Sequence, residues 1–260
     1  MISALKIAAT GMQAQQMNVD VLSNNIANMN TTGFKRQRAA FEDLVYQNRI
    51  APGATTSSAG TVAPTGAQVG LGVNVGAVYS IFTQGTVSET GNALDMAIQG
   101  RGFFKITMPD GTTGYSRDGS FQIDANGQVV TSDGYLLDPN FTVPPETLNL
   151  TISETGYVTA KINDVITDLG QITLAMFTNE AGLESIGGNI YKETVASGTA
   201  TDVNPTKSGA GSILQSFLEY SNVDPIEAVT SLITAQRAYE LNSKVITTAD
   251  EMLAATNQMR

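Results

Sequence analysis

The chain opens and closes on the same pattern, and that repetition limits its fold more than any other feature. Near the N-terminus, Leu5, Met12, Val19 and Ile26 recur every seven residues, with Ala8, Leu22 and Met29 at the complementary positions and Gln15 as the polar exception. Near the C-terminus, Leu232, Tyr239, Ile246 and Leu253 repeat at the same interval, interleaved with Ala228, Ala235, Asn242, Ala249 and Thr256. Spacings of three and four make each row one face of a helix. The first helix is expected over about residues 3–29, roughly 40 Å long at 1.5 Å per residue, with Asn30 to Gly33 as its stop. The second starts with Asp224 as cap, Pro225 in the first turn and Glu227 at the capping-box position, and no Gly or further Pro follows. In that helix one row is large and the other small or polar. Such a face allows close approach of a partner, and Asn242 is placed to set register. Ala238, Val245, Met252 and Met259 add a weaker flanking stripe.

Between these ends the texture changes. Residues 46–80 are low in charge and rich in Gly, Pro, Thr and Ser, and read as an extended stretch, as do 191–214. Residues 81–190 read as β: short strands separated by Asp110-Gly111, Asp118-Gly119, Asn126-Gly127 and Asp133-Gly134, all tight-turn pairs. The expected class is α+β, with terminal α-helices forming a coiled-coil core and an inserted all-β domain. The expected organisation is a discontinuous helical domain of 1–45 plus 215–260, connecting segments 46–80 plus 191–214, and a β-rich outer domain over 81–190.

Composition removes much chemistry. The 260 residues include no Cys and no His. Disulfides, thiolate nucleophiles, Ser-His-Asp relays and His- or Cys-ligated metals are excluded. A net charge of −10 repels phosphate backbones, which weighs against nucleic acid. Only 15% of residues are charged, below the usual quarter, as in extracellular β-rich and self-assembling proteins. The N-terminus, MISALKIAATGMQAQQ, lacks the continuous apolar run of a secretory signal, and no stretch reads as a membrane span.

Three candidate sites remain. Lys35, Arg36 and Arg38 beside Phe34 form a small basic cluster, suited to clamping phosphate, to solvation in a loop, or to pairing with an acidic neighbour. Asp110, Asp118, Asp124 and Asp133 would suit a carboxylate pair or a Ca²⁺ site. Three of them precede a Gly in a turn and Asp124 lies just before the Asn126-Gly127 turn, which already accounts for them. GRGFF at 100–104 lacks the spacing of a dinucleotide fingerprint and reads as a turn entering a strand. No cofactor is indicated, and the reading is not an enzyme.

Four long motifs carry a resemblance. LSNNIANMNTTGFKRQRAAFEDLVY (22–46), GNALDMAIQGRGFFKI (91–106), YSRDGSFQIDANGQVVTSDGYLL (115–137) and LEYSNVDPIEAVTSLITAQRAYELNSKVITTADEMLAATNQ (218–258) occur in this order. Together they resemble the bacterial flagellar rod and hook axial protein family over the whole chain. Overall length and the stretch 46–73 are similar to its distal rod members. Hook members are longer, and proximal rod members usually lack that stretch. The resemblance implies a helical homo-polymer: a rigid, hollow shaft that transmits torque to the hook and encloses the export channel. It implies proximal rod proteins and hook protein as axial neighbours and periplasmic and outer-membrane ring proteins as bushing. It also implies the flagellar export apparatus as carrier, without a cleaved signal peptide, to the basal body between periplasm and outer membrane. The packing residues would be Leu5, Met12, Val19, Leu22, Ile26, Leu232, Tyr239, Asn242, Ile246 and Leu253, with Phe34, Lys35, Arg36 and Arg38 touching a neighbouring subunit. Two rivals stay open: a secreted β-domain binding module on a helical stalk, and a peptidoglycan-cleaving enzyme using Asp118 and Asp124.

Overall fold

Apolar residues at a period of 3.5 at each end produce two helices, α1 (Ile2–Ala27) and α2 (Pro225–Gln258). The computed structural model describes residues 2–51, 53, 65–163 and 165–258. The Ser, Thr and Ala run read as part of the 46–80 segment, and Met259 of the flanking stripe, lie outside the described residues. The class is α+β, with everything strand-like inserted between the helices. α1 stops at Ala27, three residues before the expected Asn-Gly stop. The chain then turns through Thr31, whose N–H donates to the Asn28 carbonyl at 3.2 Å, and Gly33 adopts a left-handed φ of 68°.

The chain divides into two compact units. The first comprises the described parts of Met1–Ile26, Gln37–Tyr79 and Pro225–Arg260. It therefore includes the stretch expected to be a plain connector. That stretch is a β-ribbon: Gln37–Asp43 pairs with Val73–Ser80, and Tyr46–Ile50 pairs antiparallel with Ala67–Gly70. Leu44 N–H donates to the Gly72 carbonyl at 2.9 Å, which closes the ribbon where the two pairs meet. Gly72 has a φ of 125°, and a Cβ there would fall 2.1 Å from Thr10 Oγ1. Glycine is what lets the ribbon cross α1 at this distance.

The second unit comprises Ala27–Arg36 and Ser80–Asp224. Its main sheet is antiparallel and runs through Glu184–Gly187, Ile190–Lys192, Thr113–Ser116, Phe103–Thr107, Leu136–Asp138, Val129–Val130 and Gln122–Ile123. Leu174–Met176 joins Phe103–Thr107 to Thr201–Val203. A three-stranded sheet, Thr147–Ile152, Tyr157–Ile162 and Val165–Gln171, carries bulges in both pairings. The segment 191–214, expected as a connector, supplies strands to this unit instead.

Strand alternation explains the unit's two apolar clusters. Phe104 points into the larger one, with Met96, Phe121, Leu137, Val158 and Leu174. Its neighbour Phe103 points to the opposite face, among Tyr115, Ala175, Phe177 and Tyr191. Those rings meet edge-on, Tyr115 and Phe177 with centroids 4.8 Å apart. Gly111, Gly127 and Gly134 take φ near 80°, as the Asp-Gly and Asn-Gly turns require. Gly119 does not share this role. A Cβ on it would fall 1.6 Å from the Met96 carbonyl oxygen, so it is a glycine of close approach rather than of a turn.

Candidate assembly surface and a buried ion cluster

In the first unit the rows deepest in the helices are small. Ala8, Ala14 and Val21 are buried on α1, and Ala228, Ala235 and Ala249 on α2. Alanine rows let backbones approach closely. The helices come close at Gly11, where a Cβ would fall 3.0 Å from Asn242 Nδ2. The large residues expected to fill the seam stand one position to the side. Leu5, Met12, Val19, Leu22, Ile26, Leu232, Asn242, Ile246 and Leu253 are half-buried, and Tyr239 is exposed. Their row flanks the small one, so within one chain it is only partly covered.

Large apolar side chains are also exposed on the outer surface of the same unit. On α2, Ile226 is 80% exposed and Leu241 65%, with Val229, Ile233, Val245 and Met252 also open. Ile226, Val229 and Ile233 follow i, i+3, i+7 on the side away from Ala228 and Ala235, a phase hidden in the sequence by the stronger heptads. On the ribbon, Phe41, Val45, Tyr46, Ile50, Val69 and Leu71 are exposed. Every residue of Tyr46–Ile50 is exposed, so this strand has no inward face within the chain.

The basic cluster of the sequence is taken apart by the fold. Lys35 does not sit on a surface: it is 1% exposed inside the second unit. Its Nζ lies 2.6 Å from Glu219 Oε1 and donates to the Thr83 carbonyl at 2.9 Å. Arg117, also buried, reaches Glu219 Oε2 with Nη1 at 3.4 Å, donates from Nη2 to the Gly100 carbonyl at 2.7 Å, and lies 5.4 Å from the Phe103 ring centre. Burial pushes the amine of Lys35 below its ordinary value, against the pull of Glu219. Burial likewise lowers Arg117, and it pushes the nearby Tyr191 phenol up to about 12. Phe34 and Arg36 are half-buried, and Arg36 N–H donates to Asn222 Oδ1 at 2.7 Å. Of the four residues only Arg38 is exposed. A charged loop residue is ordinarily solvated, and nothing near Lys35 in the sequence signals Glu219, 184 positions away.

Three of the four turn carboxylates are engaged locally. Asp110 accepts from Thr112 N–H and Oγ1, Asp118 from Ser120 N–H and Oγ, and Asp124 from Asn126 Nδ2. Among the described residues no group of three or more acidic side chains is placed to hold a metal ion, and no helix is long and apolar enough to cross a membrane.

Comparison with known proteins assigns separate parts of the chain to one group. Residues 5–35 match the family described as "Flagella basal body rod protein", 97–160 the "Flagellar hook protein FlgE/F/G D1 domain", and 214–259 the "Flagellar basal body rod FlgEFG protein C-terminal". The flagellar basal-body rod protein FlgG of Caulobacter vibrioides is 54% identical over 100% of both chains. That of Agrobacterium fabrum is 51% identical over 98% of each, and that of Bacillus subtilis 41% identical over 97% of each.

Proposed function

The chain belongs to the FlgG family of flagellar basal-body rod proteins and is a structural subunit of the flagellar distal rod, and from that premise we propose how it builds one. Copies stack helically through the first unit into a stiff, hollow drive shaft around the export channel, and torque passes along it to the hook. Proximal rod and hook proteins are its axial neighbours. Ring proteins of the periplasm and outer membrane surround it, and the flagellar export apparatus delivers it without cleavage. Its work is mechanical rather than catalytic: many modest interfaces, each repeated along a helix, act together.

One observation carries this reading. The helices and ribbon of the first unit keep large apolar side chains on their outer faces, Ile226 and Leu241 foremost. Burying such a side chain contributes roughly 1.5–3 kcal/mol, which favours a second copy over water. The half-buried row of Leu5, Met12, Val19, Leu22, Ile26, Leu232, Ile246 and Leu253 is assigned to the same packing, together with Tyr239. The carboxylates Asp118 and Asp124, engaged in their own turns, support a structural over a lytic role.

The test replaces Ile233 and Leu241 together by Lys. Both are exposed in the single chain. The double variant is expected to melt within a few degrees of the parent and to form no rods in electron micrographs. Rods of normal length from this variant would remove the apolar face from the mechanism.

A further inference from the structure

Three stretches far apart in sequence meet around one carboxylate in the second unit. Glu219 Oε1 accepts from Lys35 Nζ at 2.6 Å and from Gly85 N–H at 2.8 Å, while Oε2 faces Arg117. The backbone of the same residue is also engaged. Its carbonyl accepts from Gly33 N–H at 2.8 Å, and Phe217–Glu219 pairs with Val87–Glu89. Asn222 adds a second tie: it accepts from Arg36 N–H and donates to the Ile81 and Thr83 carbonyls at 2.8 and 3.0 Å. Ile81 N–H in turn donates to the Arg36 carbonyl at 2.9 Å. The fit leaves no slack. A Cβ on Gly33 would fall 2.5 Å from Asp118 N, and one on Gly85 1.9 Å from the Tyr220 carbonyl oxygen.

The charges do not balance. Two cations and one carboxylate are enclosed, all 2% exposed or less. A buried ion cluster is a poor source of stability, since an apolar trio of equal volume is often as stable or more so. What it supplies is conditionality, because removing Glu219 takes the shared carboxylate from two buried cations, while removing Lys35 leaves Glu219 with Arg117 alone. Without 217–223, Lys35 and Arg117 are two buried cations that have lost their direct ion-pair partner, with only the longer-range charge of Glu180 left to them. Without 27–36, Glu219 loses its shortest ion pair.

We propose that Lys35, Arg117 and Glu219 form a conformational clasp that makes docking of segment 27–36 conditional on docking of segment 217–223, so that both join the β-rich unit together or not at all. The first segment follows α1 and the second precedes α2. The clasp thereby sets the chain's exit from one terminal helix and its entry into the other in one cooperative step. A chain whose residues from 217 onward are not yet in place keeps the 27–36 segment undocked. The clasp acts within one chain and is independent of what the assembled protein does.

Hydrogen exchange on the full-length chain, followed by mass spectrometry over a range of low denaturant, tests it. In the unaltered protein, peptides covering 27–36, 80–90 and 217–223 are expected to exchange through one opening with one denaturant dependence. Glu219→Gln is expected to accelerate all three together, on the order of a hundredfold, and to leave the strand Phe103–Thr107 unchanged. Acceleration confined to 217–223 overturns the proposal. Where Glu219→Gln does not fold, the unaltered chain decides alone, since openings with distinct denaturant dependence in the three segments also overturn it. A charge-free variant with Lys35→Met, Arg117→Met and Glu219→Leu is expected to fold and to let the two segments open independently. Openings that stay locked together in it would show that the ions are not the cause.

Discussion

At the residue scale, Gly33 is where a single atom decides most. Its φ of 68° is strained for any other residue, and the backbone of Arg117 and Asp118 fills the space a Cβ would need. Gly33→Ala is therefore expected to destabilise the chain by about 2–3 kcal/mol or more, read as a lowered melting temperature; an unchanged one would contradict this packing. Tyr191 offers a pH readout. Its phenol is raised from about 10 to about 12 by burial. Below pH 10 it is neutral in both folded and unfolded chains and contributes no pH dependence. Between about 10 and 12 only the unfolded chain ionises there, so stability falls as pH rises across that window, by about 2–3 kcal/mol in all. Tyr191→Phe should flatten that slope in urea melts taken at stepped alkaline pH. A slope identical in parent and variant would assign it to other groups. Residues of this kind differ in how far sequence reveals them. Gly111, Gly127 and Gly134 were legible because turn chemistry is local. Gly119 and Lys35 were not, because Met96 and Glu219, which define their roles, are brought to them by the sheet.

At the element scale, the two helices show that a period and its small row can be read without showing which row lies deeper. Seven-residue repeats made α1 and α2 evident. The deepest rows, however, are Ala8, Ala14 and Val21 against Ala228, Ala235 and Ala249, beside the large residues rather than on them. Hydrophobicity alone ranks Leu above Ala as a core residue. Close approach at Gly11 and Asn242 reverses the order, because a small row is what brings two backbones together. It follows that Ala235→Leu is more harmful than its apolar character suggests. Overpacking there is expected to cost about 1–3 kcal/mol in chemical denaturation, and a neutral outcome would mean the helices have room to separate. In the half-buried row, Ile246→Leu keeps volume and should leave rods intact, whereas Ile246→Asp should prevent them by placing an unpaired charge in the contact. Electron microscopy of the two variants side by side decides it, and rods from the Asp variant would contradict the assignment. The ribbon was hidden for a different reason. Tyr46–Ile50 has no buried position, so it lacks the in-out alternation by which a strand is recognised.

At the scale of the whole molecule, the described residues of the first unit leave large apolar side chains exposed. The inserted β-rich unit closes two apolar clusters on itself, while α2 and the ribbon keep Ile226, Leu241, Tyr46 and Ile50 open to solvent. The proposed assembly covers those side chains with further copies of the chain. The absence of cysteine permits a direct test of that claim. Cysteine placed singly at Leu241, and as a control at the fully exposed Val195, can be titrated with a maleimide in the free chain and in assembled rods. Both sites should label rapidly in the free chain. In rods, the cysteine at 241 should be protected at least tenfold more strongly than the one at 195. Equal labelling of 241 in the free and assembled states would mean that the exposed face of α2 is not where subunits meet, and assembly through that face would be ruled out.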